Sequence, residues 1–182
     1  MTMPRSVPLS PEHVPADSKA NLDMFARNIG FTPNMLATFA QSPMAFNAWA
    51  DLRSSLNKVL DMKTREIISL AVSETNGCNY CLAVHSFAAE KARLPADEII
   101  LARKGHAVDA KTDAAVVFAR KVIQTRGHID DADIQAVRSA GYTDANVMEI
   151  VALVAMYSLT NFFNNVFDPE KDYPAVTPAG TI

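Results

Sequence analysis

Downstream of residue 17, apolar side chains return every three or four positions almost without a break, and no run alternates apolar and polar residues between turn signals. Three-to-four spacing marks the buried face of a helix, whereas a half-buried strand needs a period of two. A chain patterned in this way predicts an all-α fold. Helices are expected at 18–29, 33–40, 43–60, 62–76, 79–93, 95–104, 110–126, 130–139 and 143–166. Pro33 and Pro43 suit first helical turns, while Asp130 or Asp131 and Thr143 suit N-caps. Gly77, Gly105, Gly127 and Gly141 stand where helices should stop, because glycine enters the left-handed region freely.

Both ends break the pattern. The arm 1–17 carries prolines at 4, 8, 11 and 15, and the tail 168–182, "DPEKDYPAVTPAGTI", carries three more, so both are expected to be extended straps. Between them, 18–167 is expected to form one domain with its central motif at 62–93. At 182 residues and 49% apolar, the chain can bury a core of its own. Seventeen basic residues against twenty acidic ones, without a run of five like charges, recommend neither nucleic acid nor an anionic membrane as partner. The N-terminus lacks the apolar stretch of a secretory signal, which makes the expected location cytoplasmic. The segment "VMEIVALVAMYSLTNFF" from Val147 is apolar on more than one face. It is short for a membrane span and carries Glu149, so it is expected in the core or against another subunit. Met24, Met35, Met44, Met148 and Met156 read as core filling, and His13, His106 and His128 as surface residues without a role.

The only cysteines, Cys78 and Cys81, lie three apart in "REIISLAVSETNGCNYCLAVH". In a reducing compartment such a pair is a chemical device rather than a staple. Gly77 should end one helix and the cysteines begin the next, where free amides and the macrodipole favour a thiolate, most of all at Cys78. Cys81 and His85 are related as i and i+4, on one helix face, so the histidine can exchange a proton with the thiol. Glu66 would approach His85 if the two helices form an antiparallel hairpin. At helical rise Glu66 lies ~18 Å from the turn and His85 ~10 Å, an offset that side-chain reach or a bridging water must close. Zinc held by Cys78, Cys81, His85 and Glu66 is disfavoured, because a structural zinc recruits a second close pair of soft ligands. Covalent haem needs histidine directly after the second cysteine, where Leu82 stands.

The run Glu66, eleven residues, Cys78-Asn79-Tyr80-Cys81, three residues, His85, set in "REIISLAVSETNGCNYCLAVHSFAAEKARLPADEI", resembles the signature of the AhpD-like alkylhydroperoxidases of the carboxymuconolactone decarboxylase superfamily, in its uncharacterised peroxidase-related branch. The resemblance implies an all-α AhpD-like domain assembled into trimers or hexamers. It also implies Cys81 as peroxidatic thiolate, His85 as its proton partner, Glu66 as the base behind the histidine, and Cys78 as the resolving and more exposed thiol. The implied activity is reduction of small organic hydroperoxides without metal, haem or flavin, with electrons from a dithiol or a thioredoxin- or lipoyl-type donor. Relatives with a dedicated reductant often carry histidine before the second cysteine; here Tyr80 stands there, a phenol that cannot serve as the same base. The competing expectations are a decarboxylase or lactone-type enzyme of the same superfamily, and a redox-sensing or scaffold oligomer. Asn161, Asn164 and Asn165 are expected to make interface hydrogen bonds rather than touch substrate.

Overall fold

The computed structural model describes residues 5–182. Among them all regular structure is helical: α1 (Ala16–Ile29), α2 (Asn34–Phe39), α3 (Pro43–Leu56), α4 (Met62–Thr75), α5 (Asn79–Lys91), α6 (Ala96–Arg103), α7 (Ala110–Thr125), α8 (Asp131–Ser139) and α9 (Asp144–Phe167). Every helix expected from the spacing is present. Two boundaries differ by more than a residue in an informative way. α3 stops at Leu56 rather than 60, since Leu60 takes a left-handed φ of 49°, and Arg65 holds that turn by donating to the carbonyls of Val59 and Leu60. In the arm, Pro11–His13 forms a single 3-10 turn and α1 starts directly after Pro15, so the arm is shorter and less extended than expected. Pro4 lies outside the described residues.

The end signals work through their predicted chemistry. Thr143 accepts from the Asn146 amide while the Asn146 side chain accepts from the Thr143 N–H, and Asp130 and Asp133 form the same reciprocal box at α8. Pro43 occupies the first turn of α3, whereas Pro33 is the N-cap of α2, one position earlier than expected.

Helix α4 is the hub of the fold and packs against α5, α6, α7 and α9. Around it a large aliphatic core gathers Ile67, Ile68, Leu70, Leu82, Val116, Ile150 and Leu153. A second core, mostly aromatic, is built by α1, α2 and α3 from Phe25, Phe39, Phe46 and Trp49, and closes onto Cys78, Tyr80 and Cys81. The two thiols therefore sit where the second core meets the hub. The tail crosses this junction: the Asn34 N–H and the Tyr80 hydroxyl both donate to the Asp172 carboxylate, at 2.6 and 2.7 Å, and Tyr173 packs against Phe31, Tyr80 and Phe87.

α9 runs 24 residues, ~36 Å at helical rise, so it is long enough to cross a membrane, and only half of its most apolar stretch is buried. One face packs on α3, α4, α5 and α7. The outward face carries Met148, Val151, Leu159, Phe162 and Val166 in the open. Met44 and Met148 are 85% and 71% exposed, which corrects their expected place in the core; they belong to the outer apolar surface instead.

Candidate active site

The thiol pair owes its position to a turn in which one residue serves two helices. Asn76 caps α4 and Gly77 follows at φ 64°. The Gly77 N–H donates to the Glu74 carbonyl and the Cys78 N–H to the Ser73 carbonyl, which together close a Schellman motif. Cys78 is at the same time the N-cap of α5, its sulfur accepting from the Cys81 N–H at 3.3 Å. With the chain reversed so tightly, α4 and α5 lie side by side as a hairpin. The Glu66 Oε2 and His85 Nδ1 atoms are 2.8 Å apart, so side-chain reach alone closes the offset left by helical rise. A carboxylate on Nδ1 fixes the tautomer that leaves Nε2 free.

Both cysteines are free thiols, and both are buried. Cys78 is 0% exposed and Cys81 2%, so the expectation that Cys78 is the more exposed of the two is corrected: the aromatic core and the tail cover the start of α5. Their electrostatics diverge. Donation from the Cys81 thiol, together with backbone N–H groups and the Asn164 amide, holds Cys78 below the ordinary thiol range against the effect of burial. Burial pushes Cys81 well above that range, helped by the neighbouring Cys78. Of the two thiols Cys78 is therefore the more acidic, as expected at a helix N-terminus.

Cys81 and His85 line one cavity of about 60 Å³, with Tyr80, Tyr157, Thr160 and Asn164 among its other polar walls and Met35, Leu36 and Val84 among its apolar ones. No hydrogen bond joins His85 to Cys81 among the described residues; their shared helix face becomes a shared cavity wall rather than a contact. Tyr157 stands edge-on to the imidazole at 5.4 Å. Arg53 guards the same cavity from above the rings of Phe25 and Trp49. Tyr80 is bound to Asp172, and burial first, then that carboxylate, raises its pKa further, so it remains a neutral hydrogen-bond donor. A groove of about 730 Å³ lies elsewhere, between α3 and α9, and is walled almost wholly by apolar groups. Its lining cannot activate a nucleophile, so the smaller cavity at the thiols is the candidate site.

Sequence reasoning misread two contributors, Asn161 and Asn164, and missed two more, Arg53 and Asp172. Asn164 donates to the Cys81 sulfur at 3.1 Å, and Asn161 is bound to Ser73 and Asn76, so the α9 amides face the thiols rather than an interface. Their signal was the run "TNFFNN", amides on a mostly apolar helix, read toward the wrong face. Arg53 and Asp172 had no local signal at all. His13 and His106 stay at the surface, bonded to Ser10 and Asp113. No group of three His, Cys, Asp or Glu among the described residues is placed to hold a metal ion.

Residues 43–125 match the profile of the Carboxymuconolactone decarboxylase family. Three solved structures share the fold over nearly the whole chain. An uncharacterized peroxidase-related protein from Ralstonia eutropha JMP134 with an alkylhydroperoxidase AhpD core is 26% identical at a TM-score of 0.82, covering 94% of each chain. A peroxidase-related protein from Silicibacter sp. TM1040 is 23% identical at 0.80, over 95% of this chain and 97% of that one. The debrominase Bmp8, as a cysteine-to-alanine variant in complex with 2,3,4-tribromopyrrole, is 20% identical at 0.77, over 91% of this chain and 90% of its own. No curated protein matches the sequence.

Proposed function

Since this chain is an AhpD-like member of the carboxymuconolactone decarboxylase superfamily, we propose that it is a thiol-dependent peroxidase that reduces small organic hydroperoxides through Cys81 and Cys78. The observation that carries this reading is the buried Glu66–His85 pair opening on the cavity that Cys81 lines, with a second thiol one helical turn away. In the proposed cycle the Cys81 proton passes to the free Nε2 of His85. The thiolate then attacks the terminal oxygen of ROOH, becoming a sulfenic acid as the O–O bond breaks and the alkoxide takes a proton from His85. Cys78 next attacks the sulfenic sulfur and expels water, and a dithiol or a thioredoxin- or lipoyl-type donor reduces the disulfide.

The reading assigns peroxide attack to Cys81 although Cys78 is the more acidic thiol, because Cys81 shares the cavity wall with the histidine and Cys78 does not. A cavity of about 60 Å³ suits the head of a small hydroperoxide. The apolar surface of α3 and α9 suits a homo-oligomer, trimer or hexamer. The test follows cumene hydroperoxide consumption with dihydrolipoamide as donor. Wild type should turn over; with the donor left out, Cys78→Ser should form one sulfenic acid per chain and stop, and Cys81→Ser should form none. A Cys81→Ser protein that still consumes peroxide would overturn the assignment. A wild type inert to peroxide would return the namesake decarboxylase chemistry and a purely redox-sensing role to the front.

A further inference from the structure

The amides that α9 turns toward the thiols form a network with one atom left over. Asn161 is committed at both ends, donating to Ser73 Oγ at 3.2 Å and accepting from Asn76 Nδ2 at 2.9 Å. Asn165 donates to the Asn76 carbonyl at 2.9 Å. Asn164 donates through Nδ2 to Cys81 Sγ at 3.1 Å, yet its Oδ1, on a side chain only 3% exposed, has no hydrogen-bond partner among the described residues. Buried amide carbonyls nearly always have one. Asn164 lines the cavity of Cys81 and His85 and also a polar cleft of about 240 Å³ shared with Gly77, Asn79 and Lys171. An acceptor is thus held bare on the side chain that touches the candidate reacting sulfur.

Resting on the thiol-peroxidase reading above, we propose that Asn164 is a catalytic residue that grips the hydroxyl group as it moves from peroxide to sulfur. Its Nδ2 holds the Cys81 sulfur, and its Oδ1 accepts the hydrogen of that hydroxyl. In this step the S–O bond forms as the O–O bond breaks; sulfur loses two electrons, the alkoxide takes its proton from His85, and the terminal oxygen keeps its own hydrogen throughout. That hydrogen needs an acceptor beside the sulfur both before and after transfer. Neighbouring groups are committed: Tyr80 is bound to Asp172, and His85 Nδ1 to Glu66. Oδ1 is one carbon away from the nitrogen that already binds the sulfur. The same grip holds the sulfenic hydroxyl in place until it leaves as water, taking the Cys78 thiol proton, when Cys78 attacks.

The test uses the full chain carrying Cys78→Ser, in which serine still suits the α5 N-cap and a sulfenic acid on Cys81 cannot condense. Two second-order rates are compared: sulfenic acid formation with hydrogen peroxide, trapped by dimedone, and alkylation by iodoacetamide, which consumes the same thiolate without transferring a hydroxyl. Asn164→Leu removes both amide functions and should lower the ratio of peroxide rate to alkylation rate about 10-fold or more. Asn164→Asp keeps the acceptor and loses the donor; both rates should fall, with their ratio held within about 3-fold of the parent. If leucine unfolds the site by circular dichroism, Asn164→Ala supplies the same comparison. Equal losses in both rates for the leucine or alanine variant, or an aspartate ratio that collapses with them, would overturn the proposal. A parent that alkylates normally but forms no sulfenic acid would overturn the peroxidase reading itself, a result distinct from either.

Discussion

At the scale of single residues, Glu66 shows how a side chain with an ordinary sequence context acquires a specific task. Burial pushes its carboxyl up, but the charge and hydrogen bond of His85, with Arg53 and Arg65 farther off, outweigh that and hold it below its usual 4.5. A carboxylate with a depressed folded pKa adds stability that is complete above the unfolded value and is lost as pH falls through the folded one. Glu66→Gln should therefore melt lower than wild type at pH 7, by about 1–2 kcal/mol for the lost charge assistance. That gap should close progressively below about pH 4.5. Melting curves of both proteins from pH 7 to pH 3 check this, and a gap of constant size would show that the ionised form is not what His85 binds. The spacing of Glu66, Cys81 and His85 made these residues candidates in the sequence. Asn164 was visible only as part of an amide cluster, because which face of α9 meets α5 depends on how the two helices pack.

At the scale of elements, the α4–α5 hairpin was legible because its instructions are local: Gly77 for the left-handed stop, Cys78 for the cap, and apolar periodicity on either side. The tail was not. Its prolines and lack of period announce an extended segment, but not where it lies. In the structure the Asp172 carboxylate ties Tyr80 to the start of α2, and Arg103, bound to Glu74, donates to the Thr177 carbonyl farther along the tail. Since both thiols are closed to solvent, a bulky donor reaches them only when this cover lifts. Asp172→Ala removes two short hydrogen bonds, and local opening should become easier by about 10-fold. Iodoacetamide should then label the reduced pair correspondingly faster, while far-ultraviolet circular dichroism stays unchanged. Unaltered labelling would mean that the thiols are reached from the α9 side instead.

At the scale of the whole molecule, the outer surface of α9 is too apolar for a helix facing water. Leu159 is 45% exposed, Phe162 54% and Val166 54%, beside Met44 and a groove of about 730 Å³. Exposed apolar area of this kind is what the proposed homo-oligomer would bury. Phe162→Glu should shift the particle in light scattering toward a single chain and lower its melting temperature only slightly, because the phenyl ring contributes little to the monomer's own core. A protein that is already monomeric, or a variant whose mass does not change, would leave this surface without its proposed partner copy.

Helix identity and order, the chain reversal at Gly77 and the candidate chemistry of Cys78, Cys81 and His85 were all determined by the sequence itself. Each depends on residues within a few turns of one another, where backbone geometry leaves few choices. Tertiary structure alone decided that Glu66 meets His85 directly, that Cys78 is sealed rather than exposed, that Asn164 meets a thiol, and that Met44 and Met148 face outward. Those outcomes depend on the rotation and offset of helices distant in sequence, and no local interaction sets them. They are selected by how the aliphatic and aromatic cores fill space together.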